Sequence, residues 1–113
     1  MTDCIFCKIA NHEMGVPPLY EDDEVFAFAD IAPVAPVHIL IVPKRHIGSV
    51  QELTDADTAL LGKLFAAARK MAADLGIAQS GYRLVTNIGA DGGQSVPHLH
   101  LHVIGGRALE WKH

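Results

Sequence analysis

Three histidines at alternate positions constrain this sequence more than any other feature. The segment 96–103 reads Val-Pro-His-Leu-His-Leu-His-Val, and successive side chains of an extended strand point to opposite faces. His98, His100 and His102 would therefore share one face, with apolar side chains on the other. Chance gives such a triplet only about 3% of the time for seven His in 113 residues. Because the polar face of an ordinary strand needs no imidazole, the pattern favours a site with chemistry.

Length and composition predict a single globular domain spanning residues 1–113, with 50% hydrophobic and 19% charged residues. Nine basic against 13 acidic residues give a net charge of −4, so the chain lacks the basic footprint of a duplex nucleic acid-binding protein. A mononucleotide needs only local donors and stays a candidate ligand. With no secretory leader and no apolar run of membrane-spanning length, we expect a soluble, cytoplasmic protein without a membrane partner.

Short strands and one long helix make up the rest of the predicted structure. A short N-terminal helix or turn is expected over 4–15, before Pro17-Pro18. Strands are predicted at 19–21, 25–29, 38–42, 82–87 and along the histidine segment. Strands and helices do not alternate regularly, which favours an α+β fold: a five-stranded antiparallel meander sheet with one long helix and a short N-terminal helix.

The long helix has a recognisable start, end and apolar face. Thr54 and Asp57 have the spacing of a capping start, and the helix is expected to run to Leu75 and to end at Gly76. Eight apolar side chains fall within an arc of roughly 140°. They are Leu60, Leu61, Leu64, Phe65, Ala68, Met71, Ala72 and Leu75. We expect this face to pack on the sheet and to carry no chemistry.

The two cysteines indicate a metal site. Cys4 and Cys7 are the chain's only cysteines, and their spacing suits a metal clip or a redox pair better than a structural disulfide. A tetrahedral zinc site needs two more ligands, for which His46 and His98 are the candidates. Such a closed site would be structural and would pin the N-terminal segment to the sheet. The alternatives are a thioredoxin-like dithiol, which the absence of a βαβ unit disfavours, and two unrelated thiols.

A glycine-rich loop leads directly into the histidines. Backbone N–H groups of Gly92 and Gly93 and the hydroxyl of Ser95 could stabilise charge on phosphate oxygens, although alone such a loop is usually a turn. His100, the middle histidine, is the best placed nucleophile. Its neutral imidazole can attack phosphorus and form a phosphohistidine that water then cleaves, while the neighbouring histidines donate to the phosphate oxygens.

The His-x-His-x-His pattern with apolar x resembles the signature of the histidine triad (HIT) superfamily, and the similarity covers nearly the whole chain. Further matching segments are 4–9, 28–33, 36–38, 43–47, 81–85, 87 and 93–96. Gly105-Gly106-Arg107 and Trp111 point to the Hint branch, the purine nucleoside phosphoramidases. Pro97 stands where many Hint proteins have an aromatic residue, and it leaves the histidine register intact.

The resemblance implies a HIT-like fold and a homodimeric hydrolase that cleaves phosphoramidate or related bonds at the α-phosphate of nucleoside 5′-monophosphates of the AMP or GMP type. It implies that His100 is the nucleophile, supported by His38 and His102. The implied nucleotide-binding residues are Phe28, Asp30, Ile31, Asn87, Gly93, Gln94, Ser95, His100 and His102. Cys4, Cys7, His46 and His98 match the ligands of a structural Zn²⁺ in bacterial-type members.

Several alternatives stay open at the level of sequence. Asp30 could cap its own loop, and His38 could be a core histidine at the start of a strand. The function could instead be that of a dinucleoside polyphosphate hydrolase or nucleotidyl transferase of the same superfamily, or of a nucleotide- or protein-binding regulator without turnover. Leu109 and Trp111, in the C-terminal tail, are expected to pack on another surface, such as a second subunit.

Overall fold

Five antiparallel strands, one long helix and one short helix build the protein, which confirms the predicted α+β fold. The structure is a computed structural model that describes residues 3–111. Its elements in chain order are α1 Ile5–Ala10, β1 Tyr20–Glu21, β2 Val25–Ala29, β3 Val37–Pro43, α2 Thr58–Asp74, β4 Tyr82–Val85 and β5 Leu101–Gly105. Two short 3-10 turns, Val50–Glu52 and Asp55–Asp57, lead into α2.

The sheet has the strand order β1-β2-β3-β5-β4, with every neighbouring pair antiparallel. The strands follow chain order as far as β3, and β5 then lies between β3 and β4. Leu40 on β3 is opposite His102 on β5, and His38 is opposite Ile104. His38 and His102 are therefore diagonal neighbours on one face, close enough for their side chains to meet.

Each face of the sheet carries its own apolar core. Leu99, Leu101 and Val103 pack with α2 on one face, so the alternation predicted from the sequence is confirmed on its apolar side. On the other face, α1 packs over a second cluster. This cluster comprises Phe6, Ile9, Ala10, Phe26, Phe28, Leu40 and Val42. The histidine face thus lies under α1 and not in open solvent.

The start of α2 follows the predicted capping pattern. The Thr54 backbone N–H donates to Asp57 Oδ2 over 2.9 Å, and the Ala56 N–H donates to Thr54 Oγ1 over 3.3 Å. This capping box closes the 3-10 turn Asp55–Asp57, and the α-helix itself begins at Thr58. Gly76 follows the helix with a φ of +76°, in the left-handed region that helix ends favour.

The apolar face of α2 is wider than the face that the sheet covers. Its buried residues are Leu60, Leu64, Ala67, Ala68, Met71 and Ala72. Leu61, Phe65 and Leu75 are 38%, 46% and 42% exposed, so the prediction that they pack on the sheet is wrong. Leu61 lies in the first turn of α2 and Phe65 one turn later, while Leu75 directly follows the last residue of the helix. An apolar strip therefore stays on the molecular surface.

The histidine segment forms a shorter strand than the alternation predicts. β5 begins only at Leu101, and His98 lies in a bend. The His98 N–H donates to the Val96 carbonyl over 2.8 Å, and the Leu99 N–H donates to the Ile47 carbonyl over 2.6 Å. These bonds take the chain out of the β-ladder and turn His98 towards the N-terminal cysteines.

Leu109 and Trp111 of the C-terminal tail are expected to pack on another surface. Within the single chain Trp111 is 84% exposed and Leu109 is half-buried, so this packing is incomplete. Among residues 3–111, no helix is both long and apolar enough to cross a membrane.

Candidate active site and metal cluster

A cavity of about 720 Å³ opens on the histidine face of the sheet. It lies between α1, the segment 14–17, the end of β2 and the residues that precede β5. Several predicted site residues meet there. They are Phe28, Asp30, Ile31, Ser95, His100 and His102.

The main chain fixes which nitrogen of His100 is available for chemistry. His100 is only 4% exposed, and its Nδ1 lies 2.7 Å from the His98 carbonyl oxygen. Because a carbonyl can only accept, Nδ1 must carry the proton and donate it. Neutral His100 therefore keeps its lone pair on Nε2. The ring also packs edge-on against Phe6, with 5.1 Å between centroids, which restricts its rotation.

A hydrogen-bonded relay sets the protons of the other two histidines. The Val34 N–H donates to His38 Nδ1 over 3.2 Å, so neutral His38 carries its proton on Nε2. His38 Nε2 then donates to His102 Nδ1 over 2.9 Å. Asp30 Oδ2 lies 3.3 Å from His38 Nε2. His102 is left with its proton on Nε2. The relay thus ends at the Nε2–H donor of His102. The centroids of the His102 and His100 rings are 5.1 Å apart.

The electrostatics of the site keep His102 neutral. Burial, together with the neighbouring His100 and His38, lowers the pKa of His102 to about 4, and Asp30 opposes this shift only weakly. At neutral pH the ring therefore holds one proton and one lone pair, as the relay requires.

Asp30 caps its own loop and also lines the cavity. Its Oδ1 accepts the Ala32 N–H over 2.8 Å, so it does cap its own loop, while its other oxygen faces His38 and the residue lines the cavity. Ile31, next in the chain, is fully exposed at the cavity edge. His38 is 8% exposed and does not line the cavity, so it acts on the site through its contacts with His102 and Asp30.

The glycine loop lies beside the cavity and is held by its own side chains. Asn87 Nδ2 donates to the Gly92 carbonyl over 2.8 Å. Gln94 Oε1 accepts the Gly89 N–H, and its Nε2 donates to the carbonyls of Gly48 and Val96. The lining of the cavity includes Ser95 but not three other predicted residues. These are Asn87, Gly93 and Gln94.

The four predicted metal ligands converge at one end of α1. Cys4 Sγ lies 3.2 Å from His98 Nδ1, and Cys7 Sγ lies 3.2 Å from His46 Nδ1. All four ligand atoms lie within 4.8 Å of one another. His98 Nε2 donates to the Pro43 carbonyl over 2.9 Å, which turns Nδ1 towards the sulphurs.

This donor set fits a tetrahedral metal ion. Bonds of about 2.3 Å to sulphur and about 2.0 Å to nitrogen place such ligand atoms roughly 3.5 Å apart, close to the separations seen here. Burial lowers the pKa of His98, which favours the neutral imidazole that metals bind. The Pro43 carbonyl also supplies the outer hydrogen bond that orients metal-binding histidines.

The sequence did not assign the apolar part of the cavity. Its further lining residues are Ile5, Phe6, Ile9, Met14, Gly15, Val16, Pro17, Ala29, Leu40 and Val96. The positions of Ile5, Phe6 and Ile9 fit one face of a short helix, so the helical period was an available signal. Met14 and Val16 lie in an irregular segment, where no periodicity marks them.

Comparison with known proteins identifies the family. The sequence profile of the HIT domain matches residues 15–109. The chain belongs to the HIT family. An uncharacterised HIT-like protein of Synechocystis is 49% identical over 109 residues, which cover 96% of this chain and 95% of that protein.

Solved structures of HIT proteins have the same fold. A HIT family hydrolase from Clostridium thermocellum has a TM-score of 0.95 and 47% identity, covering 99% of this chain and 97% of that one. A more distant structure, a histidine triad nucleotide-binding protein from Candida albicans, has a TM-score of 0.83 and 28% identity, covering 98% and 84%.

Proposed function

We propose that this HIT protein is a hydrolase that cleaves phosphoramidate-type bonds at the α-phosphate of purine nucleoside 5′-monophosphates. The observation that carries the proposal is the pairing of tautomers in the cavity. His100 has a lone pair on Nε2 because its Nδ1–H is committed to the His98 carbonyl, and His102 has a proton on Nε2 because its Nδ1 accepts from His38. A nucleophile and a donor thus lie side by side at an enclosed surface.

The reaction follows from these two groups in two steps. His100 Nε2 attacks phosphorus, the P–N bond breaks, and the amine leaves with the bonding electron pair and takes up a proton from the solvent. The resulting phosphohistidine carries the nucleotidyl group. Water then attacks phosphorus and loses a proton to the solvent, the bond to His100 breaks with its electron pair returning to Nε2, and the nucleoside 5′-monophosphate is released. The His102 Nε2–H stabilises charge on the phosphate oxygens in both steps.

The cavity accommodates a nucleotide in one orientation in this proposal. The phosphate lies at Ser95, His100 and His102, with the main chain of the glycine loop nearby. Asp30, a half-buried carboxylate on the same wall, accepts from the ribose hydroxyls. The base lies against apolar side chains of α1 and β2. These are Ile5, Phe6, Ile9 and Phe28, with Ile31 at the rim. The Candida relative, titled a nucleotide-binding protein, supports this class of ligand.

Removing the nucleophile tests the activity. With adenosine 5′-phosphoramidate as substrate, His100→Gly should lower the rate of AMP release by a factor of about 10³ or more, because no other group takes its covalent role. His12→Asn is the matched control, since His12 is a surface histidine paired with Glu21. Wild type quenched during turnover with denaturant at alkaline pH, where a phosphohistidine is stable, should carry one nucleotidyl group by mass spectrometry. Undiminished turnover in His100→Gly would refute the nucleophile, and nucleotide binding without wild-type turnover would favour a regulator.

We also propose that the ion of the cysteine–histidine cluster is a structural Zn²⁺. Two thiolates and two imidazoles in a tetrahedral arrangement form a closed set that zinc prefers, with no position left for substrate. When bound, the ion supplies cross-linking of α1 to the start of the histidine segment. A reducing compartment preserves such thiolates, in agreement with a cytoplasmic location. Metal analysis of purified protein should give one zinc per chain, and absence of stoichiometric metal would contradict the assignment.

A homodimer completes the proposal. Leu61 and Phe65 leave an apolar strip on α2, and β4 is an edge strand that, among residues 3–111, pairs only with β5. Exposed apolar side chains and a strand edge are features that association with a second copy can cover.

A further inference from the structure

The histidine relay is connected to the C-terminal segment through a single loop. Arg107 Nη2 donates to the Val34 carbonyl over 2.9 Å, and the N–H of the same Val34 donates to His38 Nδ1 over 3.2 Å. We infer that Arg107 is a positioning residue for the His38–His102 relay, because it holds the loop whose main chain selects the His38 tautomer. Its effect on rate rests on the proposed hydrolase function, whereas its effect on the tautomer does not.

The loop between β2 and β3 has little packing of its own. Ile31 is fully exposed and Val34 is 58% exposed, so apolar burial does not fix the position of their main chain. At its first turn, the Asp30 carboxylate accepts the Ala32 N–H. At its far side, the guanidinium of Arg107 holds the Val34 carbonyl. A loop with few buried contacts depends on such polar bonds for a single conformation.

The backbone conformation after β5 places Arg107 beside this loop. Gly105 pairs with Val37 at the start of β3, so the chain leaves the sheet next to the loop. Gly106 has a φ of +94°, and a Cβ at this position would lie 2.9 Å from Pro36 Cβ. Only glycine combines that φ with such a close approach. Gly106 therefore allows the close approach of the chain to the loop, and Arg107 makes the hydrogen bond to Val34.

Release of Val34 would alter both supporting histidines. Without the Val34 N–H, only the acceptors near Nε2, which are His102 Nδ1 and Asp30 Oδ2, still favour the proton on that nitrogen. The other His38 tautomer, with its proton on Nδ1 and a bare Nε2 towards His102, then becomes populated. His102 Nδ1 would then have to become the donor, which leaves its Nε2 without the proton that we assign to phosphate contact. The hydrogen bond from Arg107 to Val34 at the surface therefore acts together with Asp30 on the position of the proton at the cavity.

Three arginine variants test this inference. Arg107→Ala removes the donor, Arg107→Lys keeps a cationic donor, and Arg83→Ala is the matched control. Arg83 donates to the Glu110 carbonyl over 2.7 Å and has no bond to the β2–β3 loop. The substrate-free tautomers of His38 and His102 are read from long-range ¹H–¹⁵N NMR of their ring nitrogens. The values of kcat and KM for adenosine 5′-phosphoramidate and the melting temperature are measured in parallel.

We expect Arg107→Ala to populate the second His38 tautomer and to lower kcat about three- to tenfold, the range that loss of one hydrogen bond allows. KM and melting temperature should change little, Arg107→Lys should recover most of kcat, and Arg83→Ala should match wild type. Unchanged tautomers in Arg107→Ala, or an equal change in Arg83→Ala, would overturn the inference. If wild type proves inactive, the NMR comparison still decides it, so its failure is distinguishable from failure of the proposed function.

Discussion

At the scale of single residues, the site is built by main-chain groups that leave each imidazole one choice. The carbonyls of Pro43 and His98 accept from His98 and His100, and the Val34 N–H donates to His38. A backbone carbonyl cannot donate and an N–H cannot accept, so each contact fixes a tautomer that a side-chain partner could have left ambiguous. The chemical difference between three identical side chains therefore comes from their surroundings.

The lowered pKa of His102 predicts a loss of stability on acidification. The unfolded chain binds a proton at this residue near pH 6.5, whereas the folded chain resists it until about pH 4. Between these values the unfolded state binds more protons, so the free energy of unfolding falls as pH falls, by at most about 3 kcal/mol. Above pH 6.5 the residue is neutral in both states and has no effect on the pH slope.

Urea unfolding at several pH values between 7.5 and 4.5 measures this slope in wild type and in His102→Gln. The variant cannot titrate, so its free energy of unfolding should fall less steeply over this interval. Contributions from the metal cluster are present in both proteins and cancel in the comparison. Parallel curves for the two proteins would show that His102 titrates normally in the folded state.

Sequence reasoning predicted which histidines lie close together, but not which main-chain groups form hydrogen bonds with each ring. Alternation placed His98, His100 and His102 together because side-chain direction in an extended chain is a local property. The contacts with Val34 and Pro43 depend on segments that are distant in sequence, so no spacing reveals them. Arg107 shows the same limit: its motif was visible, whereas its bond to residue 34 required the sheet register.

At the scale of elements, the short helix α1 joins the metal cluster to the cavity. Cys4 caps its start and Cys7 lies in its first turn, while Phe6, between them, packs edge-on against His98 and His100. A helix of six residues is too short to be stable alone in water. Besides the apolar packing of Phe6, Ile9 and Ala10, the proposed zinc site would supply a further constraint on this helix.

Removing the metal should weaken both folding and nucleotide binding. We expect a chelator to lower the melting temperature by at least about 10 °C, because binding free energy at a structural metal site is folding free energy. The affinity for AMP, measured by calorimetry, should fall as well, since Phe6 lines the cavity. Readdition of zinc should restore both.

The double variant Cys4→Ser/Cys7→Ser is the control for this experiment. It should melt at the lower temperature from the outset and should not respond to chelator. If metal analysis confirms removal from wild type while its melting temperature stays constant, the cluster does not support the fold.

Two glycines in different elements should respond in opposite ways to alanine. Gly62 lies within α2, where a Cβ would meet nothing within 4 Å, so Gly62→Ala should raise the free energy of unfolding by about 0.5–1 kcal/mol. A Cβ on Gly92 would lie 2.3 Å from the Ile88 carbonyl oxygen. The glycine loop must then shift, so Gly92→Ala should lose about 1–3 kcal/mol and weaken AMP binding. Denaturant unfolding and calorimetry test both variants, and a neutral Gly92→Ala would show that the loop adapts freely.

Local sequence signals also predicted which helices and strands form better than they predicted where each one begins and which side chains it buries. Thr54 and Asp57 form the expected capping box because capping depends on residues three apart. The width of the buried face of α2 depends on how far the sheet extends beneath it, which the helical period does not encode. For the same reason the helical period alone predicts Leu61 and Phe65 in the core. Alternation likewise does not reveal the hydrogen bonds of the His98 and Leu99 N–H groups, which keep β5 from beginning before Leu101.

At the scale of the whole molecule, the apolar strip on α2 is the feature that a single chain leaves unexplained. Leu61 and Phe65 lie one turn apart and share one side of the helix. Charged substitution here should disrupt association without disturbing the core, because both side chains are already partly in solvent. If the protein is a homodimer, this strip is the first surface at which to test the interface.

Light scattering after size exclusion should give twice the chain mass for wild type and a single chain mass for Phe65→Glu and Leu61→Glu. Ala66→Glu is the matched control, because Ala66 is exposed on α2 about 100° around the helix from Phe65 and should leave the dimer intact. Circular dichroism must show that each variant keeps its fold. A single chain mass for wild type would contradict the proposed homodimer. A dimer that survives both substitutions would place the interface elsewhere, with the edge of β4 as the next surface to change, since its outer side has no partner strand among residues 3–111.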